Sequence, residues 1–163
     1  MREGGVVRLA EFQGTQPQLR LERFFVGQTF AYGLFEDRFG RVRRQFDVTI
    51  EGRLEGDVLV LDEEFRYMDG AREHRHWRIS RVGEHGYSGE AAGVVGRAGG
   101  AVAGRALNWR YRYDLAVGRR TVRVDFDDWM FLHDERRLIN RATVSKWGLR
   151  LGTVWLFFER ASD

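Results

Sequence analysis

The sequence has no cysteine, and among its 163 residues it has one proline and, in Lys146, one lysine. Without cysteine there can be no disulfide, no thiolate metal site and no sulfur to carry a lipid anchor. With Pro17 alone, chain reversals fall mainly to glycine, of which there are 20. No run is long and apolar enough for a membrane-spanning helix. Met1 to Phe12 lacks the apolar centre of a signal peptide, so a cytoplasmic location is the expectation. No Ser-His-Asp order, G-x-S-x-G elbow or dinucleotide fingerprint is present, which disfavours those enzyme classes. Gly93 to Ala106 is rich in glycine and alanine. It lacks lysine and a G-K-S/T ending, so it reads as a kink or a close backbone approach rather than a phosphate cradle.

The chain does carry balanced charge, with 27 basic against 24 acidic residues and a formal net charge of +3. The charges are interspersed, and no basic run with stacking aromatics stands out, so a nucleic-acid partner is not supported. Phe, Trp and Tyr make up 13% of the residues, a bias toward strands. The length suits one domain with a sizeable core.

The most informative stretch is Val122 to Met130. Val122, Val124, Phe126, Asp128 and Met130 share one face, and Arg123, Asp125, Asp127 and Trp129 share the other. Period-2 alternation of this kind marks a half-buried strand. The same pattern places Val42, Arg44, Phe46, Val48 and Ile50 on one face, then Leu59, Leu61, Glu63, Phe65 and Tyr67, then Trp109, Tyr111, Tyr113, Leu115 and Val117. Thr29 to Glu36, Arg72 to Arg81, Tyr87 to Ala92, Leu138 to Val144 and Leu149 to Glu159 complete the set. Asp69-Gly70 is the strongest hairpin signal. Residues 1–20 read as a loose lead-in, and Leu19 to Val26 as a short helix or turn plugging one end. About nine short strands without crossovers, within a range of eight to ten, predict an all-β antiparallel fold. An up-and-down meander closed into a barrel would leave no exposed edge.

Five segments carry a resemblance: Glu36 to Gly40, Leu61 to Gly70, Asn108 to Tyr111, Phe126 to Met130 and Leu138 to Ala142. Together and in this order they resemble the bacterial domain-of-unknown-function family 3833, over roughly residues 20 to 160. The resemblance implies a lipocalin-like or calycin-like barrel, here residues 21–163 after the lead-in, with no agreed catalytic residues. Members are described as lipoproteins. Many begin with a signal peptide and a lipid-modified cysteine, and neither is expected from the residues here. Relatives also carry an acidic residue near the position of Gly93.

Alternation isolates four polar residues on apolar faces: Arg44, Glu63, Asp128 and Asn140. Arg44 paired with Asp128 or Glu63 would form a buried ion network. It would either orient the polar end of a ligand or simply pin strand register. Asp128 and Glu63 are also the candidate acid and base of an enzyme acting on a lipid-like substrate. Asp125 and Asp127 read as solvated or paired across strands. His74 and His76 point to one side, but two ligands fall short of a metal site, and no cofactor is expected.

The five tryptophans, with Tyr111 and Tyr113, read as core or pocket lining, except that Trp129 lies on the polar face and is placed at a barrel end or a contact. Arg141 and Lys146 are candidates for an anionic head group at the barrel mouth. The leading expectation is a non-enzymatic binder of a small apolar or amphipathic molecule, held by Arg44, Glu63, Trp109, Tyr111, Asp128 and Asn140. The alternatives are the enzyme, and a packed scaffold or dimer with Trp129 at its interface.

Overall fold

A computed structural model describes residues 7–162. Among these the chain forms a 3-10 turn (Leu9–Phe12), one short helix α1 (Leu21–Phe24) and ten strands. The strands are β1 (Gly27–Asp37), β2 (Val42–Glu55), β3 (Val58–Tyr67), β4 (Arg72–Val82), β5 (Gly86–Glu90), β6 (Ala98–Ala103), β7 (Ala106–Val117), β8 (Arg120–Leu132), β9 (Arg137–Lys146) and β10 (Leu149–Arg160). Each strand pairs antiparallel with its sequence neighbours, and β1 pairs with β10, so the meander closes into a barrel without a free edge.

The alternation in sequence becomes inside and outside. On β8, Val124 and Asp128 face inward and are 2% and 7% exposed. The outward residues pair across the β7–β8 ladder: Asp125 with Arg112 at 3.0 Å, Asp127 with Arg110 at 3.3 Å, and Asp114 with Arg123 at 2.8 Å. Hairpin chemistry closes the turns. Asp37 Oδ1 accepts from the Phe39 and Arg41 amides at 2.9 and 3.1 Å, and Asp69 Oδ1 accepts from the Ala71 amide at 2.9 Å.

One barrel end is sealed. Leu19, Leu21, Phe24 and Phe25 are at most 3% exposed, and Phe25 meets Phe158 edge-on at 5.6 Å between ring centroids. Tyr87 ties α1 down by donating its hydroxyl to Glu22 at 2.7 Å. Residues 8–19 differ from the loose lead-in expected. Phe12 packs on Phe131 at 5.4 Å, the Thr15 hydroxyl accepts from the Arg105 amide at 3.0 Å, and the Leu19 amide donates to the Gly104 carbonyl at 2.8 Å. The first six residues of the expected lead-in lie outside the described residues.

The strand β6 was not foreseen, because its Ala-Gly-Gly-Ala-Val-Ala sequence carries little alternation. Its small residues answer a steric demand from Trp109. A Cβ at Gly100 would fall on the Asn108 carbonyl and within 3.0 Å of the Trp109 ring, and one at Gly89 would also lie 3.0 Å from that ring. The close backbone approach expected in this segment is thus present.

Gly52 sits where the plug crosses β2, and a Cβ there would overlap the Phe25 carbonyl oxygen. Gly52→Ala should therefore lower unfolding free energy by roughly 1–3 kcal/mol in urea titration, as overpacking does. Gly99, whose Cβ would meet only the Tyr87 carbonyl oxygen at 3.8 Å, should accept alanine with a change of less than about 1 kcal/mol. Equal effects would contradict the placement of the plug.

Candidate functional site

The barrel interior is hollow beyond the plug. A cavity of about 670 Å³ runs from Phe25 and Leu21 at its floor to Arg44, Leu115, Val117 and Leu151 near the opposite end. Its wall is mostly aromatic and aliphatic, so a barrel filled by its own side chains is not what this sequence builds. Tyr111 lies stacked on Phe126 with ring centroids 4.9 Å apart, and Trp77 meets Trp109 and Tyr111 edge-on at 5.9 and 5.4 Å.

Into this wall project Glu63 from β3, Glu73 and Arg75 from β4, Asp128 from β8 and Asn140 from β9. Arg75 is central. Its Nη2 donates to Glu73 Oε1 at 3.0 Å, and Glu73 Oε2 accepts from the Tyr67 hydroxyl at 2.9 Å. The guanidinium carbon lies 5.1 Å from the Phe65 ring centre and 4.8 Å from that of Tyr113, so aromatic faces share in stabilising the charge. Burial alone would lower the guanidinium pKa. Tyr111, Glu63, Tyr113 and Glu73 around it outweigh burial and raise it.

Glu63 and Asp128 are held toward their protonated forms. Burial pushes Asp128 up to about 8, and the neighbouring Asp127 adds to the shift while Arg75 opposes it. Burial pushes Glu63 up to about 7, again against the pull of Arg75. Burial and Asp128 together raise Tyr111 well above the ordinary phenol range. Among the described residues, no group hydrogen-bonds the buried Asp128 Oδ1 or Arg75 Nε. Unpartnered polar atoms of this kind cost free energy in an apolar wall and are what a ligand's polar end would satisfy. Asn140, 2% exposed, is satisfied on one side by donating Nδ2 to the Trp129 carbonyl at 3.1 Å.

The residues proposed from sequence divide accordingly. Glu63, Trp109, Tyr111, Asp128 and Asn140 all line one cavity. Arg44 lines it too, but its pairing with Asp128 or Glu63 is corrected. Arg44 lies toward the open end, bonded to Asp69 at 3.2 Å and laid over the Tyr67 ring at 3.5 Å, with its side chain 42% exposed. The buried cation is Arg75. In the sequence Arg72 to His76 reads as charged on both faces, which masks Arg75, although it shares the inward parity of Trp77 and Ile79.

The placements of Trp147, Trp155 and Arg141 also differ from expectation, whereas Trp129 keeps its expected outer face and His74 and His76 their shared side. Trp147 is exposed at the β9–β10 turn, and Trp155 is half-buried on the outer face, donating its indole N–H to Glu36 at 3.0 Å. Trp129 stacks on Phe131 on the outer face, with planes 9° apart and ring centroids at 6.1 Å. Arg141 pairs in register with Trp129 and Trp155 and so points outward, away from the mouth. His74 and His76 both reach Asp62 Oδ1, at 3.4 and 2.7 Å. Among the described residues no group of three or more His, Cys, Asp or Glu is arranged to hold a metal, and no helix is long and apolar enough to cross a membrane.

A raised carboxyl pKa means that the fold favours the protonated form. The stability this contributes is fully present below the unfolded value of about 4 and is lost as pH rises through the folded value. For Asp128 the window runs from about 4 to about 8. Urea titration at pH 5 and pH 8 should show Asp128→Asn gaining roughly 1–3 kcal/mol on the parent chain across that interval. A pH-independent difference between the two would contradict a protonated Asp128.

The sequence profile described as "Protein of unknown function (DUF3833)" matches residues 4–160. No curated protein matches the sequence at a significant level. Among solved structures, the S-type phycobiliprotein lyase CPES from Guillardia theta superposes with a TM-score of 0.65 at 7% identity. The match covers 89% of this chain and 94% of the lyase. At that identity the likeness is one of fold.

Proposed function

The chain belongs to the DUF3833 family of unknown function, and from its barrel we propose that it is a non-enzymatic carrier of a small amphipathic molecule. The observation that supports this most is the cavity itself. Its volume of about 670 Å³ lies within the range of small-molecule sites, and its apolar wall carries one cluster of polar groups. A ligand of this kind would lay its hydrocarbon against Phe126, Tyr111, Val124 and Val154. Its polar end would meet Arg75 and Asp128. Arg75 Nε is a donor, and a protonated Asp128 is a second donor, so the complementary group is an acceptor oxygen such as that of a carboxyl or carbonyl. A fatty-acyl compound satisfies both demands.

The placement of Asp128 and Glu63 also favours a second reading. Two carboxyls with raised pKa values in one cavity are suited to passing a proton to and from a bound substrate. In that case Asp128→Asn would abolish chemical change in the bound molecule while leaving its binding in place.

Titration with the fluorescent fatty acid cis-parinaric acid tests the carrier reading. The parent chain should bind it with micromolar affinity. Ala142→Trp, which fills the cavity beside Asp128, should weaken binding more than about tenfold. Arg75→Met should weaken the acid by about tenfold and its methyl ester much less, since a charge-assisted hydrogen bond is worth roughly 1.5–3 kcal/mol. Affinity unchanged by Ala142→Trp would place the probe outside the barrel and overturn the reading.

A further inference from the structure

The two ends of the barrel differ in a way the cavity alone does not require. The strands β1, β3, β5, β7 and β9 all run toward the open end, and the tight hairpin turns after β1, β3, β7 and β9 share that rim. At or beside those turns stand Phe39, 76% exposed, Met68, 67%, Val117, 53%, Trp147, 87%, and Leu149, 64%. These five side chains come from four separate hairpins. They form a ring of apolar tips rather than one packed patch.

The sealed-end turns carry two such side chains, Leu54 and Val82, 51% and 59% exposed, and charge separates the two ends more sharply. Residues 37–44, 68–72, 116–121 and 146–150 hold nine Arg or Lys and two Asp. Both acids are occupied with capping their own turns. The turns of the sealed end, residues 53–58, 81–86, 103–106 and 133–137, hold five basic and five acidic residues. The open rim therefore carries a positive excess larger than the net charge of the whole chain, which is +3.

The backbone at the β9–β10 turn is also telling. Trp147 has φ 52° and Gly148 φ 78°, a two-residue hairpin in which both positions favour Gly, Asn or Asp. Trp147 is the one non-glycine at positive φ among the described residues. An indole placed there at conformational cost, and left in water, gains nothing from the fold. Its neighbour Lys146 lies with its ammonium 4.4 Å from the indole ring, and Arg38 covers Phe39 at 4.8 Å. Amphipathic cations beside projecting aromatic rings are the pattern of side chains that anchor at a lipid–water interface.

We propose that the open rim docks on an anionic phospholipid bilayer, with Phe39, Met68, Val117, Trp147 and Leu149 entering the headgroup region and the surrounding arginines meeting lipid phosphates. The basic excess selects a negatively charged surface, and the separated apolar tips suit a fluid one. Docking in this orientation sets the cavity mouth against the membrane. The barrel wall, with its Arg–Asp ladders on β7 and β8, stays in water. Docking of this kind depends on charge and exposure at the rim and not on the identity of any cavity ligand.

The test is flotation of the purified chain with phosphatidylcholine vesicles containing 30% phosphatidylglycerol, compared with pure phosphatidylcholine. Tryptophan emission is followed with bromine-labelled lipid as quencher. The parent should float with the anionic vesicles at least tenfold better than with the neutral ones. It should also be quenched by brominated lipid, with the quenched signal lost in Trp147→Phe. Combined Phe39→Ser, Trp147→Ser and Leu149→Ser should abolish flotation while cis-parinaric acid binding in vesicle-free buffer is unchanged. That second readout reports the fold of the triple variant and separates failure at the rim from failure at the cavity. No flotation, flotation unaffected by the triple variant, or flotation without quenching would each overturn the proposal. So would a dimer in analytical ultracentrifugation that the triple variant dissolves, since the rim would then be covered by a second copy.

Discussion

The interior depends on how one guanidinium is accommodated. Arg75 projects into a barrel whose wall is aromatic and aliphatic, and a charge there is costly unless it is paired. Glu73 accepts its hydrogen bond, the rings of Phe65 and Tyr113 face it, and Glu63 and Asp128 lie within reach of its field. Because Glu63 and Asp128 are themselves buried, both are held toward their protonated forms, Glu63 pushed up to about 7 and Asp128 to about 8. The polar group of the cavity is thus neither a free cation nor a set of carboxylates. It is a donor-rich spot in an apolar tunnel, which is what gives the cavity a direction.

The fold around that spot is a closed ladder with unlike ends. α1 and the segment before it fill one mouth with Leu21, Phe24 and Phe25, and the small residues of β5 and β6 let Trp109 lie flat inside. The other mouth keeps its long hairpins, exposed apolar tips and excess of arginine. A molecule entering the barrel can do so only from the end that is also the most basic and the most apolar at its surface. Access and surface character are therefore linked through topology, since alternate turns of an up-and-down barrel must fall at the same end.

Much of this was legible in the sequence, and the misses have physical causes. The inward faces of β2, β3, β7 and β8 follow from period-2 alternation, and that pattern also singled out Glu63, Asp128 and Asn140 as polar residues facing in. Arg44 has the correct parity. It lies too near the strand end to be enclosed, as the 54% exposure of its neighbour Val42 shows. Arg75 was hidden because β4 alternates two histidines with charged residues, so neither face looks apolar until Trp77. β6 was hidden because its residues are chosen for the absence of side chains beside Trp109, and absence leaves no periodicity. Trp147 looked like core because tryptophan usually is, and only the positive φ of its turn places it at a tip.

Carrier function requires an interior that is open and takes a molecule with one polar end. Native mass spectrometry of the freshly purified chain, followed by denaturation and identification of what is released, tests that directly. The expected result is a discrete adduct that survives desolvation, is lost on unfolding, and proves to be an amphipathic molecule small enough for about 670 Å³. A bare 19.0 kDa species that also stays bare after incubation with long-chain fatty acids and their esters would contradict it.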